Sequence, residues 1–188
     1  MSDPFFFGYG SLVNRRTHDF GETYPARITG WRRVWRHTGL REVAFLSAVP
    51  HEGAEIEGLI AAVPSADWKA LDEREWAYAR HPVGHLVTHG AGRDLHVEVY
   101  SVPLDHAAPP SVRHPILLSY VDVVVQGYLH VFGEAGAERF FATTEGWDAP
   151  VLNDRAKPRY PRAQDLTVME TDFVNAHLAR YGAEVIEA

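Results

Sequence analysis

Phe5-Phe6-Phe7-Gly8-Tyr9-Gly10-Ser11-Leu12 reads as a short apolar strand that runs directly into a glycine-rich turn. The run before Gly8 is too short for a helix and is bounded by turn residues, so it predicts a buried strand. Two glycines let the backbone approach a ligand closely, and successive amides in such a turn form an anion-sized nest. Ser11 adds a hydroxyl that can donate or accept. The stretch is not a Walker loop, because no Gly-Lys-Ser/Thr follows. Nor is it a dinucleotide fingerprint, because the third glycine is missing. The competing reading is a purely structural turn.

Outward from this stretch, strands dominate the first half. Ala26 to Trp35 is β-branched and aromatic in part, with Trp31, Arg33 and Trp35 on one face. Glu42 to Val49 and Glu55 to Val63 read as two further strands, with His51-Glu52-Gly53 as a hairpin turn between them. A short helix follows over Ala66 to Arg74, with Ser65 as its cap and Asp67 in its positive first turn. Val83 to Thr88 and Leu95 to Val102 read as strands around a Gly90-Ala91-Gly92 turn, and Leu104 to Pro115 as a loop.

The second half is helical: Ile116 to Phe132, Glu134 to Thr143, and Thr171 to Tyr181 ending at Gly182. Trp147 to Ala163 between them is extended and stiffened by Pro158 and Pro161. Strands first and helices after predict an α+β fold, with mainly antiparallel strands curled into a small barrel and helices around it. One domain over residues 1–188 fits this length, with a core over about 5–133 and a helical extension over about 134–188.

Composition narrows the function. Apolar residues make up 46% and charged residues 23% of 188, an ordinary globular balance. The absence of cysteine excludes a disulfide framework, a thiolate nucleophile and a cysteine-based zinc site. A net charge of −7 weighs against nucleic acid as a partner. Met-Ser-Asp-Pro does not open a signal peptide, and no apolar run approaches the ~20 residues that span a bilayer, so no membrane partner and a cytoplasmic location are expected. Oligomeric state is not legible. Arg32, Arg33, Arg36 and Arg41 read as a solvated strand face or as a patch that attracts an acidic substrate. His81, His85 and His89 recur at helical spacing, but Pro82 and Gly84 between them argue for a strand and against a metal site. Ser11 is not a hydrolase nucleophile, since the Gly-x-Ser-x-Gly elbow is absent.

Leu71-Asp72-Glu73-Arg74-Glu75-Trp76-Ala77-Tyr78 is the second chemical stretch. A carboxylate at Glu75 beside aromatic surface suits general-base work, because desolvation disfavours its charge. The bland alternative is that Asp72, Glu73 and Glu75 solvate a helix edge. Arg80 could pair with Glu75 or with a substrate carboxylate, and is left out of the catalytic set.

The two stretches together, Tyr-Gly-Ser-Leu at 9–12 and Leu-Asp-x-x-Glu at 71–75, resemble the gamma-glutamylcyclotransferase-like superfamily, which includes the ChaC-type enzymes. Gly30-Trp31-Arg32-Arg33-Val34-Trp35 is similar to its second-strand segment. Ser119 to Gly127, with Tyr120, is similar to a later helix that opens with a ligand-facing tyrosine. The resemblance spans about residues 5–133. It implies a strand barrel with packed helices, with Gly8, Tyr9, Gly10, Ser11 and Leu12 holding a gamma-glutamyl group and Glu75 acting as base. Tyr78 and Tyr120 are further candidates for holding the substrate.

The implied reaction is cyclotransfer to 5-oxoproline and a free amine, with no metal or organic cofactor. The alternative is a non-catalytic binding or interaction domain on the same scaffold. The sequence departs from the glutathione-specific branch at Val13-Asn14 and at Trp76-Ala77, which leaves the gamma-glutamyl compound open. Gly146 to Arg155 is rich in residues that fix loops, and reads as a lid, a dimer contact or a packing strap.

Overall fold

The computed structural model describes residues 3–38, 42–76, 78–102 and 108–187. Arg41, Ala77 and the first residues of the expected 104–115 loop lie outside them.

Strand β1 (Phe5–Gly8) is buried along its whole length. It lies between β3 (Phe45–Ala62), which pairs with it antiparallel, and β6 (Val97–Ser101), which pairs with it parallel. A strand with neighbours on both edges and cover on both faces needs apolar residues at every position. Phe5 and Phe7 enter the main core, while Phe6 points to the opposite face against Leu12, Leu71 and Tyr100.

Strand β2 (Thr23–Arg36) pairs with β3 along nearly all its length. The register breaks between Thr29, opposite Glu55, and Trp31, opposite Pro50. Residues 51–54 therefore loop out, with Gly30 (φ 74°) and Gly53 (φ 78°) in the left-handed region. This corrects the expected hairpin at His51-Glu52-Gly53. The two segments do not pair with each other; both pair with β2, as halves of one bent strand.

The sheet order is β4 (Ala79–Pro82), β6, β1, β3, β2, β5 (Val87–His89), with β8 (Thr144–Glu145) also on β2. Strand β4, not anticipated, pairs with β6, and β5 sits at the far edge on β2. Among the described residues β4 and β5 do not meet, so the expected barrel is instead an open, curled, mostly antiparallel sheet. Side chains bridge the curl: Ser101 Oγ donates to Ala48 O at 2.6 Å and Val102 N donates to Ser47 Oγ at 3.1 Å.

The arginine run is likewise corrected. Arg33 is 1% exposed and bonds within the core, and Arg32 pairs with Glu145. His81, His85 and His89 fall in β4, a 3-10 turn and β5, and no metal-holding group forms among the described residues.

Helix α1 (Lys69–Arg74) starts later than expected. Ser65 lies at φ 57° and does not cap it; Asp67 Oδ1 instead accepts from the Lys69 amide at 3.2 Å. Helix α2 (Leu118–Ala142) merges the two helices expected at 116–132 and 134–143, interrupted at Gly133 (φ 69°). Ile116 and Leu117 form β7 before it. Helix α3 (Val168–Arg180) opens with a Thr167–Glu170 capping box and is followed by Gly182 at φ 71°. Strands β9 (Val151–Asn153) and β10 (Val185–Glu187) form a small parallel sheet with β7. The apolar core runs unbroken from Phe5 to Leu178. No helix among the described residues is long and apolar enough to cross a membrane.

Helix α2 packs onto the turn after β1. Asn14 Nδ2 donates to Val123 O at 2.9 Å and to Gln126 Oε1 at 3.0 Å. A Cβ at Gly127 would stand 2.7 Å from the Asn14 amide nitrogen, against backbone that cannot yield. Gly127→Ala is expected to cost about 1–3 kcal/mol by overpacking. Gly90, where a Cβ meets nothing within 4 Å, serves as control. Urea unfolding of both alanine variants checks this; equal midpoints would remove the contact from the account.

Candidate active site

Strand β1 ends at Gly8 and the chain enters a 3-10 turn, Ser11–Val13, through Gly10 (φ −116°, ψ −130°). A Cβ on Gly10 would stand 2.6 Å from the Tyr120 hydroxyl oxygen, so a side chain there would displace that hydroxyl from the turn. The Ser11 amide faces the same oxygen. The Tyr9 side chain turns inward and donates its hydroxyl to Tyr100 O at 2.6 Å. The Tyr128 hydroxyl holds the Tyr9 carbonyl at 3.0 Å.

Glu75 terminates α1, its amide donating to Leu71 O at 2.8 Å. It pairs with Arg74, whose Nε lies 3.3 Å from Oε1. Arg74 also donates to Thr17 O (2.9 Å), Ser11 Oγ (3.2 Å) and Thr17 Oγ1 (3.2 Å). One guanidinium thus ties the carboxylate to the glycine turn. The sequence reading missed this residue, since nothing but adjacency distinguishes it from other helix-edge arginines. Trp76, expected to desolvate the carboxylate, is 57% exposed. Arg80 pairs instead with Asp72 at 3.0 Å and Glu98 at 3.2 Å.

The candidate residues converge. Gly8, Tyr9, Gly10, Ser11 and Leu12 border a recess of about 30 Å³, and Glu75, Tyr78 and Tyr120 close its other sides. Tyr78 is anchored by its hydroxyl on Leu46 O at 3.0 Å. The recess joins a cleft of about 390 Å³ that shares Ser11, Glu75, Tyr78 and Tyr120 with it. Burial pushes the Tyr9 and Tyr120 hydroxyls well above the ordinary range, and the Glu75 charge adds to this. Burial and the bond to Asp72 do the same for Tyr100. All three keep their protons at neutral pH, and Glu75 is the carboxylate that borders both spaces.

The far wall comes from the 146–163 segment, whose chemical place the sequence did not reveal. Asp154, 2% exposed, accepts from Ser119 N (2.8 Å), Ser119 Oγ (2.6 Å) and Arg159 N (2.8 Å). Arg155 forks onto Asp122 at 2.7 and 2.8 Å. These bonds set Arg159, Tyr160, Pro161 and Arg162 along the cleft, with the Tyr160 ring edge-on to Tyr120 at 4.9 Å. The Asn153-Asp154-Arg155 run was the available signal.

The sequence matches the gamma-glutamyl cyclotransferase, AIG2-like family over residues 6–118, more than half of the chain. The chain belongs to that family. No curated protein matches it at a significant level. Solved structures share the fold. A gamma-glutamyl cyclotransferase superposes with TM-score 0.58 at 16% identity, covering 93% of this chain and 99% of its own. An uncharacterized protein, loc79017, from Homo sapiens superposes with TM-score 0.60 at 15% identity over the same shares, 93% and 99%. YkqA from Bacillus subtilis gives 0.57 at 18% identity, covering 74% of this chain and 53% of its own.

Two outcomes follow from the site's supports. Asp154→Asn keeps the size but loses the charge that three donors share. It is expected to cost about 1.5–3 kcal/mol and to open the 155–163 segment to protease. Unchanged melting and cleavage would show that the segment is held otherwise.

His18 lies with Nε2 3.0 Å from Leu12 O, and burial pushes its pKa below the ordinary value. A depressed value means that its contribution is full above about pH 6.5 and is lost as pH falls through the folded value. Unfolding free energy measured between pH 8 and 5 is expected to fall less steeply in His18→Gln than in the wild type. Parallel curves would contradict this.

Proposed function

We propose that the protein catalyses intramolecular cyclotransfer on a gamma-glutamyl compound, releasing 5-oxoproline and a free amine. The observation that carries the reading is the convergence of Glu75, the 8–12 turn and Tyr120 on one recess. Family membership supports it.

A gamma-glutamyl amide contains its own nucleophile, the α-amine, which at a pKa near ~8 is largely protonated at pH 7. Glu75 takes one proton from that ammonium. The freed amine attacks the γ-carbonyl carbon, a C–N bond forms and the carbonyl π electrons move to oxygen. Amides of the Gly10–Leu12 turn stabilise the oxyanion. As the oxyanion collapses and the original C–N bond breaks, the leaving nitrogen receives the proton from Glu75, and the carboxylate so regenerated takes the second proton from the cationic ring nitrogen and passes it to the released amine, which leaves as an ammonium beside the neutral lactam. Atoms and charges balance with no further reactant. The Tyr120 hydroxyl, still protonated, donates to a substrate oxygen. A well-placed base supplies about 10²–10⁴-fold, and holding the chain bent so that amine meets carbonyl supplies up to ~7–11 kcal/mol.

A second reading, binding without turnover, is favoured by one observation: Glu75 is engaged by Arg74 at 3.3 Å rather than standing alone. Incubation with a panel of gamma-glutamyl compounds and detection of 5-oxoproline by mass spectrometry separates the two. Cyclotransfer predicts product from the wild type and a loss of about 10²-fold or more in kcat for Glu75→Gln, with KM much less affected. Full activity of that variant would falsify the base assignment. Tight binding of panel members without product would favour the second reading.

A further inference from the structure

The glycine turn is held from behind by a chain of buried polar side chains. Asn14, 1% exposed, closes the Ser11–Val13 turn, its amide donating to Ser11 O at 3.1 Å. Its Nδ2 donates to Gln126 Oε1 at 3.0 Å. Gln126, fully buried in α2, donates in turn from Nε2 to Asp165 O at 3.0 Å and to Glu170 Oε2 at 3.3 Å. The other carboxylate oxygen, Glu170 Oε1, pairs with His130 Nε2 at 3.0 Å, at the solvent-facing end of the chain. Burial raises the Glu170 pKa, but the bonds from Thr167 and Gln126 outweigh it and hold the group below the ordinary carboxylate value. Glu170 is therefore a carboxylate at neutral pH and can only accept. That fixes the sense of every bond behind it. Gln126 must turn its NH2 to Glu170 and its oxygen to Asn14, and Asn14 must turn its NH2 to Gln126. Asn14 Nδ2 is also on Val123 O, and its Oδ1 accepts from Arg16 N, so neither amide can flip without stranding buried groups.

We infer that Gln126 and Glu170 are positioning residues that set the 8–12 turn from α2 and α3. Both lie beyond residues 6–118, the stretch that matches the family, and neither lines the recess or the cleft. They act through Asn14, which anchors the end of the turn, while Tyr120 stands against its start at Gly10. The catalytic consequence rests on the cyclotransfer reading, in which amides of this turn stabilise the oxyanion. Small displacements of such donors cost rate.

Three variants separate positioning from plain stability. Glu170→Leu removes the acceptor. Glu170→Gln keeps it: the amide oxygen takes the place of Oε2, and the NH2 meets His130 Nε2, which accepts in its other tautomer. Thr167→Ala breaks the cap of α3, where the Thr167 hydroxyl accepts from the Glu170 amide at 3.2 Å, and spares the link to Gln126. Each variant is shown to be folded by circular dichroism and then read in two ways. Proton–nitrogen correlation spectra of protein carrying isotope-labelled glycine report the turn through Gly8 and Gly10, and 5-oxoproline release reports the rate. Glu170→Leu is expected to move the Gly8 and Gly10 signals and to lower kcat about ten-fold or more, with KM much less affected. Glu170→Gln and Thr167→Ala are expected to leave both signals in place and to keep kcat within about three-fold of the wild type. Gln126→Met, which keeps the bulk but breaks both bonds, is expected to repeat the Glu170→Leu pattern and replaces that variant if it does not fold. Unmoved Gly8 and Gly10 signals in Glu170→Leu overturn the inference. So does a loss of kcat in Thr167→Ala or Glu170→Gln as large as that in Glu170→Leu. If the wild type releases 5-oxoproline from no gamma-glutamyl compound, cyclotransfer fails, and the glycine signals alone still decide whether Glu170 sets the turn.

Discussion

The buried guanidinium of Arg33 ties the sheet to helix α2. Arg33 is 1% exposed, yet among the described residues its hydrogen bonds go to hydroxyls and a carbonyl rather than to a carboxylate. It donates to Thr144 Oγ1 (3.0 Å), Glu57 O (2.8 Å), Tyr128 Oη (2.7 Å) and Thr143 Oγ1 (2.5 Å). Its charge lies near the Tyr128 and Phe140 ring faces at 5.2 and 5.0 Å. Removing such a cation from water costs several kcal/mol, which only a full set of partners offsets. Those partners come from β3, α2 and the chain around β8. Satisfying the charge therefore fixes the relative positions of the elements that shape the site. Through Tyr128 the constraint reaches the Tyr9 carbonyl, and so the glycine turn.

The parts of this arrangement legible in the sequence were those with local signals. Phe5 to Leu12 announced a strand and a turn because apolar run and glycine pair sit side by side. Glu75 stood out through its motif partners. Periodicity gave the helices that became the two arms of α2. What escaped were features decided by distant contacts. The bulge at residues 51–54 resembles a hairpin turn locally, and only pairing of both flanks with β2 makes it an excursion. An arginine on a strand reads as solvated until Tyr128, Thr143 and Thr144 arrive from more than ninety residues away. Barrel closure depended on whether β4 and β5 met, which neither sequence encodes alone.

The recess combines one carboxylate with phenols that do not ionise. Tyr9, Tyr100 and Tyr120 are driven upward mainly by burial, and each feels the Glu75 charge. Glu75 borders this recess, and Arg74, joined to it at 3.3 Å, borders the adjoining cleft. A proton arriving on Glu75 would loosen that pair and change the hold on Ser11 Oγ and Thr17. Arg74 is the physical link between the Glu75 carboxylate and the turn.

The Asp154 clamp bears on how the cleft can be entered. Its carboxylate grips Ser119, next to Tyr120 on α2, and the Arg159 amide, next to Tyr160. Two residues that line the cleft, Tyr120 and Tyr160, therefore stand beside groups tied to one anion. A wall so mounted cannot swing as a flap over the substrate without breaking buried charge-assisted bonds. Ligands meet a preformed groove, and arrival is governed by encounter and steering rather than by waiting for a gate to open.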